Sequence, residues 1–319
     1  MPVQHPPCKD SDLPQLVGNR QNLAFWKPLS ARLGHGVTRI WVGVMMMGQA
    51  GAGALDYFPC RYGMSRAVFR GPERDLSGDY VVMLGGSSTF GKYVAAPFPV
   101  LVEEATGCPV ANLGGLNAGP DFYLADPAAL QVAAGARVAV VQVTGAEAMS
   151  NPFYTVHSRR NDRFLAATPA LTALFPDVEF TDIHFTRHLL MVLRRAGPDR
   201  FATVVAGLKA NWLARMRALL AQLPDRRVLL WLAESGPQAV AEDLDPAFAP
   251  LFVDAAMVRS LRRSVSAVVE AVPSAAARAE GLCRMQVPET ELATARCLPG
   301  SAVHDEVAAL LGPVIAGLL

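Results

Sequence analysis

The residues best suited to chemistry lie in Gly85-Gly86-Ser87-Ser88-Thr89-Phe90-Gly91, directly after the apolar run Tyr80–Leu84. Two glycines after a strand permit a tight turn that side chains would obstruct. Ser87 then stands at a sheet edge near the start of a helix, where free N–H groups and the positive dipole end favour developing negative charge. Its hydroxyl reads in three ways: a nucleophile, a helix N-cap, or part of a phosphate cradle shared with Gly86 and Ser88. The run Asn112-Leu113-Gly114-Gly115-Leu116-Asn117-Ala118-Gly119 closes a second apolar stretch. It would bring a glycine N–H beside the first loop, where an oxyanion donor must lie, with Asn117 near the same ligand. Pro299-Gly300-Ser301-Ala302-Val303-His304 introduces the last helix and can bring an imidazole to Ser87.

A third stretch, Gly145-Ala146-Glu147-Ala148-Met149-Ser150-Asn151, carries Glu147, a general acid or base or else an ion-pair partner. The polar segment Asn151–Arg163 (NPFYTVHSRRNDR) reads as a long loop. His157, Arg159, Arg160 and Arg163 are candidates to clamp an anion, and Phe153 and Tyr154 to stack on a sugar or base. The alternative is a solvated loop whose arginines pair with Asp162. His184 and His188 sit four apart, a spacing that sets both on one helical face, but no acidic third ligand accompanies them. No metal and no cofactor is expected.

These residues need a scaffold, and the chain supplies a regular one. Tyr80–Leu84, Pro109–Leu113, Arg137–Val143, Arg227–Ala233 and Ser266–Val272 are short apolar runs of the kind that form buried parallel strands. Helical stretches fall at Pro97–Ala105, Asp121–Ala134, Thr186–Arg195, Arg200–Leu223, Asp254–Arg263 and Val303–Leu318. The alternation predicts a three-layer α/β/α sandwich around a five-stranded parallel sheet, flavodoxin-like, with functional groups at the carboxyl ends of the strands.

Composition fits that class. The chain has 319 residues, 51% of them hydrophobic, and a formal net charge of +1, with no basic block that would mark a nucleic-acid footprint. Its 5 cysteines are scattered without CxxC spacing, which argues for reduced thiols in a cytoplasmic protein. Arg39–Leu55 is rich in Gly and Ala and falls short of the roughly 20 apolar residues that span a bilayer, so no stable membrane insertion is expected. Residues 1–50 read as a poorly ordered extension, and Met45-Met46-Met47 as an alternative start; the compact domain is expected over 51–319.

The order of these motifs resembles the SGNH (GDSL-like) hydrolase superfamily across about residues 78–318. Gly85–Gly91 is similar to its first block, with Gly86 in place of aspartate. Asn112 and Gly114 match the second block, and His304 sits where the last block places its histidine. The third block departs, because Glu147 stands where a close glycine–asparagine pair is expected. Ser301 replaces the aspartate three residues before the histidine. The resemblance implies Ser87 as nucleophile, His304 as base, and the N–H groups of Ser87 and Gly114 as oxyanion hole, with Asn151 a substitute donor should its loop fold back. It implies a serine esterase or acyltransferase acting on a small-molecule or carbohydrate ester. From Tyr62 onward the runs FRGPERDL, GGSSTFG, NLGGLNAG, SNPFYTVHSRRNDRFL and FTRHLL also resemble an uncharacterised bacterial family of no established activity.

Overall fold

The structure, a computed structural model, describes residues 55–238, 244 and 250–319. The expected extension over residues 1–50, with its methionine triplet, lies outside the described residues, as does all of Arg39–Leu55 but its last residue. In chain order the elements are β1 (Val81–Leu84), α1 (Ser87–Phe90), α2 (Phe98–Thr106), β2 (Val110–Asn112), α3 (Pro120–Leu124), α4 (Pro127–Ala134) and β3 (Val138–Gln142). There follow β4 (Tyr154–His157), β5 (Arg160–Ala167), α5 (Pro169–Leu174), α6 (Thr186–Ala196), α7 (Pro198–Leu220) and β6 (Arg227–Leu232). The chain ends with α8 (Ala255–Leu261), β7 (Ala267–Ala271), α9 (Ala275–Glu280), α10 (Leu292–Ala295) and α11 (Ser301–Ala316).

All five expected strands form one parallel sheet in the order β2-β1-β3-β6-β7. Side chains alternate across it because strand periodicity is two. Val81 and Met83 of β1, with Val138 and Val140 of β3, pack on one face against Phe98, Val102, Ala277, Val303, Val307 and Leu311 of α2, α9 and α11. Val82, Leu84, Ala139 and Val141 pack on the other against α3, α4, α6, α7 and α8, with Trp212 and Leu208 fully buried. Three layers result, as expected.

Two local expectations need correction. The stretch Asp121–Ala134 is two helices, not one. Asp126 precedes Pro127, which disfavours helical backbone before it, and its carboxylate instead caps α4 by accepting the Ala129 N–H at 3.1 Å. The segment Asn151–Arg163 is not a loop but most of an antiparallel β4–β5 hairpin. Tyr154 and Val156 are buried, with Thr155 exposed between them.

Strand order determines where a site can lie. From β1 the chain moves outward to β2, then returns past β1 to β3, so connections diverge between β1 and β3. Ligands of open α/β sheets bind at such a switch point, beyond the carboxyl ends of the strands. Here the loops after β1 and β3 carry Ser87 and Glu147.

Candidate functional site

The β1 loop is held from below by buried polar side chains. Gln142, at the end of β3, accepts the Gly86 N–H at 3.1 Å and the Thr89 hydroxyl at 2.7 Å. The Tyr123 hydroxyl accepts the Gly85 N–H at 2.7 Å and lies 2.7 Å from the Gly85 carbonyl. Gly85 has no room for a side chain: a Cβ would fall 2.1 Å from Thr89 Oγ1. The buried Arg70 guanidinium donates to the Gly91 carbonyl at 2.6 Å and the Ala95 carbonyl at 2.8 Å, bracing the far end of the loop. Since buried polar groups cost free energy unless paired, this network fixes the loop in one conformation.

Ser87 emerges half-buried at the first residue of α1. Its Oγ donates to Asn117 Oδ1 at 3.1 Å and accepts the Asn117 N–H at 3.0 Å. Asn117 holds φ at 54°, a left-handed conformation that asparagine tolerates better than most residues. The pair sits on the wall of a cleft of about 900 Å³. Ser88, Thr144 and Glu147 line the same cleft, as do Arg187 from α6 and Arg296 just beyond α10.

The carboxyl of Glu147 folds back over Gly145, where a Cβ would fall 1.9 Å from Oε2. Oε2 is shut off from solvent and has no hydrogen-bond partner among the described residues. Burial pushes this carboxyl above the usual carboxylate range, outweighing the opposing pull of its own backbone N–H and of Arg187. Two other acids of the cleft are neutralised locally: Asp162 lies 3.4 Å from Arg160, and Glu234 lies 3.6 Å from Arg278. Neither Arg187 nor Arg296 forms an ion pair among the described residues. Among the described residues, the cleft therefore carries unspent positive charge.

His304 lies elsewhere. It is 1% exposed, stacked on Phe98 with ring centroids 5.5 Å apart, and its Nδ1 accepts the Phe98 N–H at 3.1 Å. An accepting Nδ1 puts the proton of the neutral ring on Nε2, which is buried without a partner. Burial first, then the nearby Arg70 charge, push its pKa down to about 3. The expected Ser87–His304 hydrogen bond is thus absent from this conformation, and the ring is not among the cleft-lining residues. Val303 lines the cleft instead. Successive helical residues are about 100° apart, so when Val303 faces the cleft His304 turns toward α2. Ser301 does not orient the ring either, since its hydroxyl donates to the Arg284 carbonyl at 3.2 Å.

The remaining expected site residues are placed as follows. The Gly114 N–H is taken by Asn112 Oδ1 at 2.9 Å, and Gly114 packs directly on the Thr89-Phe90 backbone. Asn151 ties its own turn, donating to the Met149 carbonyl at 3.0 Å and accepting the Phe153 N–H at 2.9 Å. His157, Arg159 and Arg160 belong to the hairpin and are not among the cleft-lining residues. His157 Nδ1 accepts the Arg159 N–H at 3.2 Å. Tyr154 is a core residue whose hydroxyl donates to the Glu147 carbonyl at 3.0 Å, so it is no stacking platform. The cations at the cleft carry little sequence signal of their own: Arg187 lies within FTRHLL, at the start of a helical stretch rather than at a strand end, and Arg296 precedes the last helix without a motif.

No group of three or more His, Cys, Asp and Glu side chains that could hold a metal occurs among the described residues. No helix among them is long and apolar enough to cross a membrane. No curated protein and no solved structure matches the chain. Residues 45–319 match the family described as Domain of unknown function (DUF6473), and the chain belongs to that family.

Proposed function

We propose that the chain binds a small molecule carrying an anionic group in the cleft at the ends of β1, β3 and β6, with Ser87 and Asn117 on one wall and Arg187 and Arg296 supplying the charge. The observation that carries this reading is the electrostatic balance of the cleft among the described residues: Arg187 and Arg296 lack ion-pair partners, while Asp162 and Glu234 are paired and Glu147 is driven toward its neutral form. A guanidinium without a carboxylate is a fitting partner for a carboxylate, phosphate or sulfate group. The volume, about 900 Å³, suits a ligand of metabolite size. The anionic ligand is therefore expected at Arg187 and Arg296 rather than on the hairpin arginines. Calorimetric titration with sulfate tests it. Arg187→Ala or Arg296→Ala should weaken binding by about tenfold or more, the scale of one lost charge-assisted hydrogen bond. Unchanged binding in both variants refutes the reading.

A second reading keeps the SGNH-type chemistry, favoured by one observation: the Ser87 hydroxyl reaches the cleft wall and is fixed there by Asn117. Ser87 would take an acyl group from a bound ester, with a group other than His304 in its resting pose accepting the proton. Labelling by a serine-reactive fluorophosphonate that disappears in Ser87→Ala supports this reading, and equal labelling of both proteins removes it.

A further inference from the structure

Among the described residues, Glu147 is the acid of the cleft that has no ion pair and whose Oε2 is closed to water. Buried carboxyl oxygens normally find a partner, and leaving one unmet is destabilising. The fold retains it because Gly145 provides the space: any side chain there would collide with the carboxyl. The Glu147 carbonyl is also fixed by the Tyr154 hydroxyl at 3.0 Å, so the residue is held in place along its backbone. Sealing one oxygen from water favours the neutral form of the carboxyl, and the same residue lines the cleft with Arg187.

We propose that Glu147 meets the ligand as a carboxylic acid, donating a hydrogen bond from its other carboxyl oxygen, not the sealed Oε2, to the oxyanion that Arg187 and Arg296 neutralise, so that anion and proton enter the cleft together. This rests on the anion-binding reading above and adds the proton to it. A carboxylic acid donates to an oxyanion, whereas a carboxylate in the same place would repel it. Among the described residues, Arg187, Asp162, Glu234, Arg296 and Cys297 line the cleft with Glu147, and the Tyr154 hydroxyl donates to its carbonyl. Asp162 and Glu234 are held in ion pairs with Arg160 and Arg278, and the Tyr154 phenol stays protonated, its pKa pushed well up by burial. Glu147 is the described carboxyl of the cleft left to respond. An added anion raises the pKa of a neighbouring carboxyl, so binding takes up a proton where the free protein is partly ionised. Affinity is then highest below the Glu147 pKa of the free protein and falls as pH rises through its value in the complex.

Titration calorimetry in buffers of different ionisation enthalpy counts protons taken up per anion bound. Sulfate serves as the probe for sulfate and phosphate esters and acetate for carboxylates, since neither titrates between about pH 6 and 8. The wild type should take up protons with one or both anions. Glu147→Gln, whose amide still donates, should bind within about threefold of wild type at low pH with the proton uptake gone. Glu147→Ala should bind at least about tenfold more weakly. In the wild type itself, the Glu147 side-chain carboxyl carbon, followed by NMR, should move toward its protonated shift as sulfate is added, a readout free of any folding defect in the variants. Anion binding with no proton uptake and no carboxyl shift at any pH across the titration of the Glu147 carboxyl overturns the inference and leaves the binding reading standing. Failure of both anions to bind overturns both.

Discussion

The stability of this protein should fall on mild acidification, and His304 should be a main cause. The ring is buried and neutral, and its pKa is lowered to about 3 from an unfolded value near 6.5. A histidine whose folded pKa is depressed binds its proton only on unfolding across that interval. Between about pH 6.5 and pH 3 the unfolded chain therefore holds more protons, and stability rises with pH. Each pH unit is worth about 1.4 kcal/mol. Moving from pH 7 to pH 5 should cost about 2 kcal/mol from this residue, a sizeable part of an ordinary folding free energy of about 5–15 kcal/mol. The comparison is with His304→Asn, whose Oδ1 can accept the Phe98 N–H that Nδ1 accepts at 3.1 Å. At pH 7 that variant loses the stack on Phe98 and opens a small void, for a cost of about 1–3 kcal/mol. Urea denaturation at both pH values gives the result as a difference of differences, in which carboxylates common to both proteins cancel. The wild type should lose about 2 kcal/mol more than the variant between pH 7 and pH 5. Parallel losses would mean that His304 ionises in the folded state, and the reasoning that excludes it from the resting site would be wrong.

Gly114→Ala should destabilise the protein by about 1–3 kcal/mol in urea denaturation, because its Cβ would lie 2.3 Å from the Phe90 nitrogen, and backbone cannot yield as a side chain does. A neutral effect would restore Gly114 as a candidate oxyanion donor rather than a packing glycine. At Asn117, where φ is 54°, Asn117→Ala should be about 1 kcal/mol less stable than Asn117→Gly, since both lose the side-chain bond to Ser87 and only alanine meets the left-handed penalty. Equal denaturation midpoints would show the loop relaxing to another conformation.

Much of the fold was legible because five apolar runs of strand length, each set off by glycine or polar residues, admit little but a buried parallel sheet. The Asp126-Pro127 break was equally visible and passed unread, since the apolar periodicity continues across it. The hairpin was harder. Tyr154 and Val156 alternate with Thr155 and His157, yet the basic tip of Ser158, Arg159 and Arg160 masks a strand pair whose partners are joined by a bulged register. Ser87 and Asn117 could be found because a glycine-rich turn after a strand is a local signal. Their mutual hydrogen bonds were not, since they depend on how two loops dock. His304 shows the limit most clearly. Its place before the last helix was readable, but one helical step decides whether an imidazole faces the cleft or Phe98, and that step is set by α11 packing on α2.

If the cleft at the sheet switch point holds an oxyanion between Arg187 and Arg296, as proposed, the anion can be located in a crystal. Selenate is a heavy-atom stand-in for sulfate, and a crystal soaked in it locates bound anions directly by anomalous scattering. A selenium peak within hydrogen-bonding reach of Arg187 or Arg296, close to the Ser87–Asn117 pair, is the predicted result. A cleft empty of selenium while the same crystal binds selenate at the hairpin arginines, Arg159 and Arg160, would contradict it.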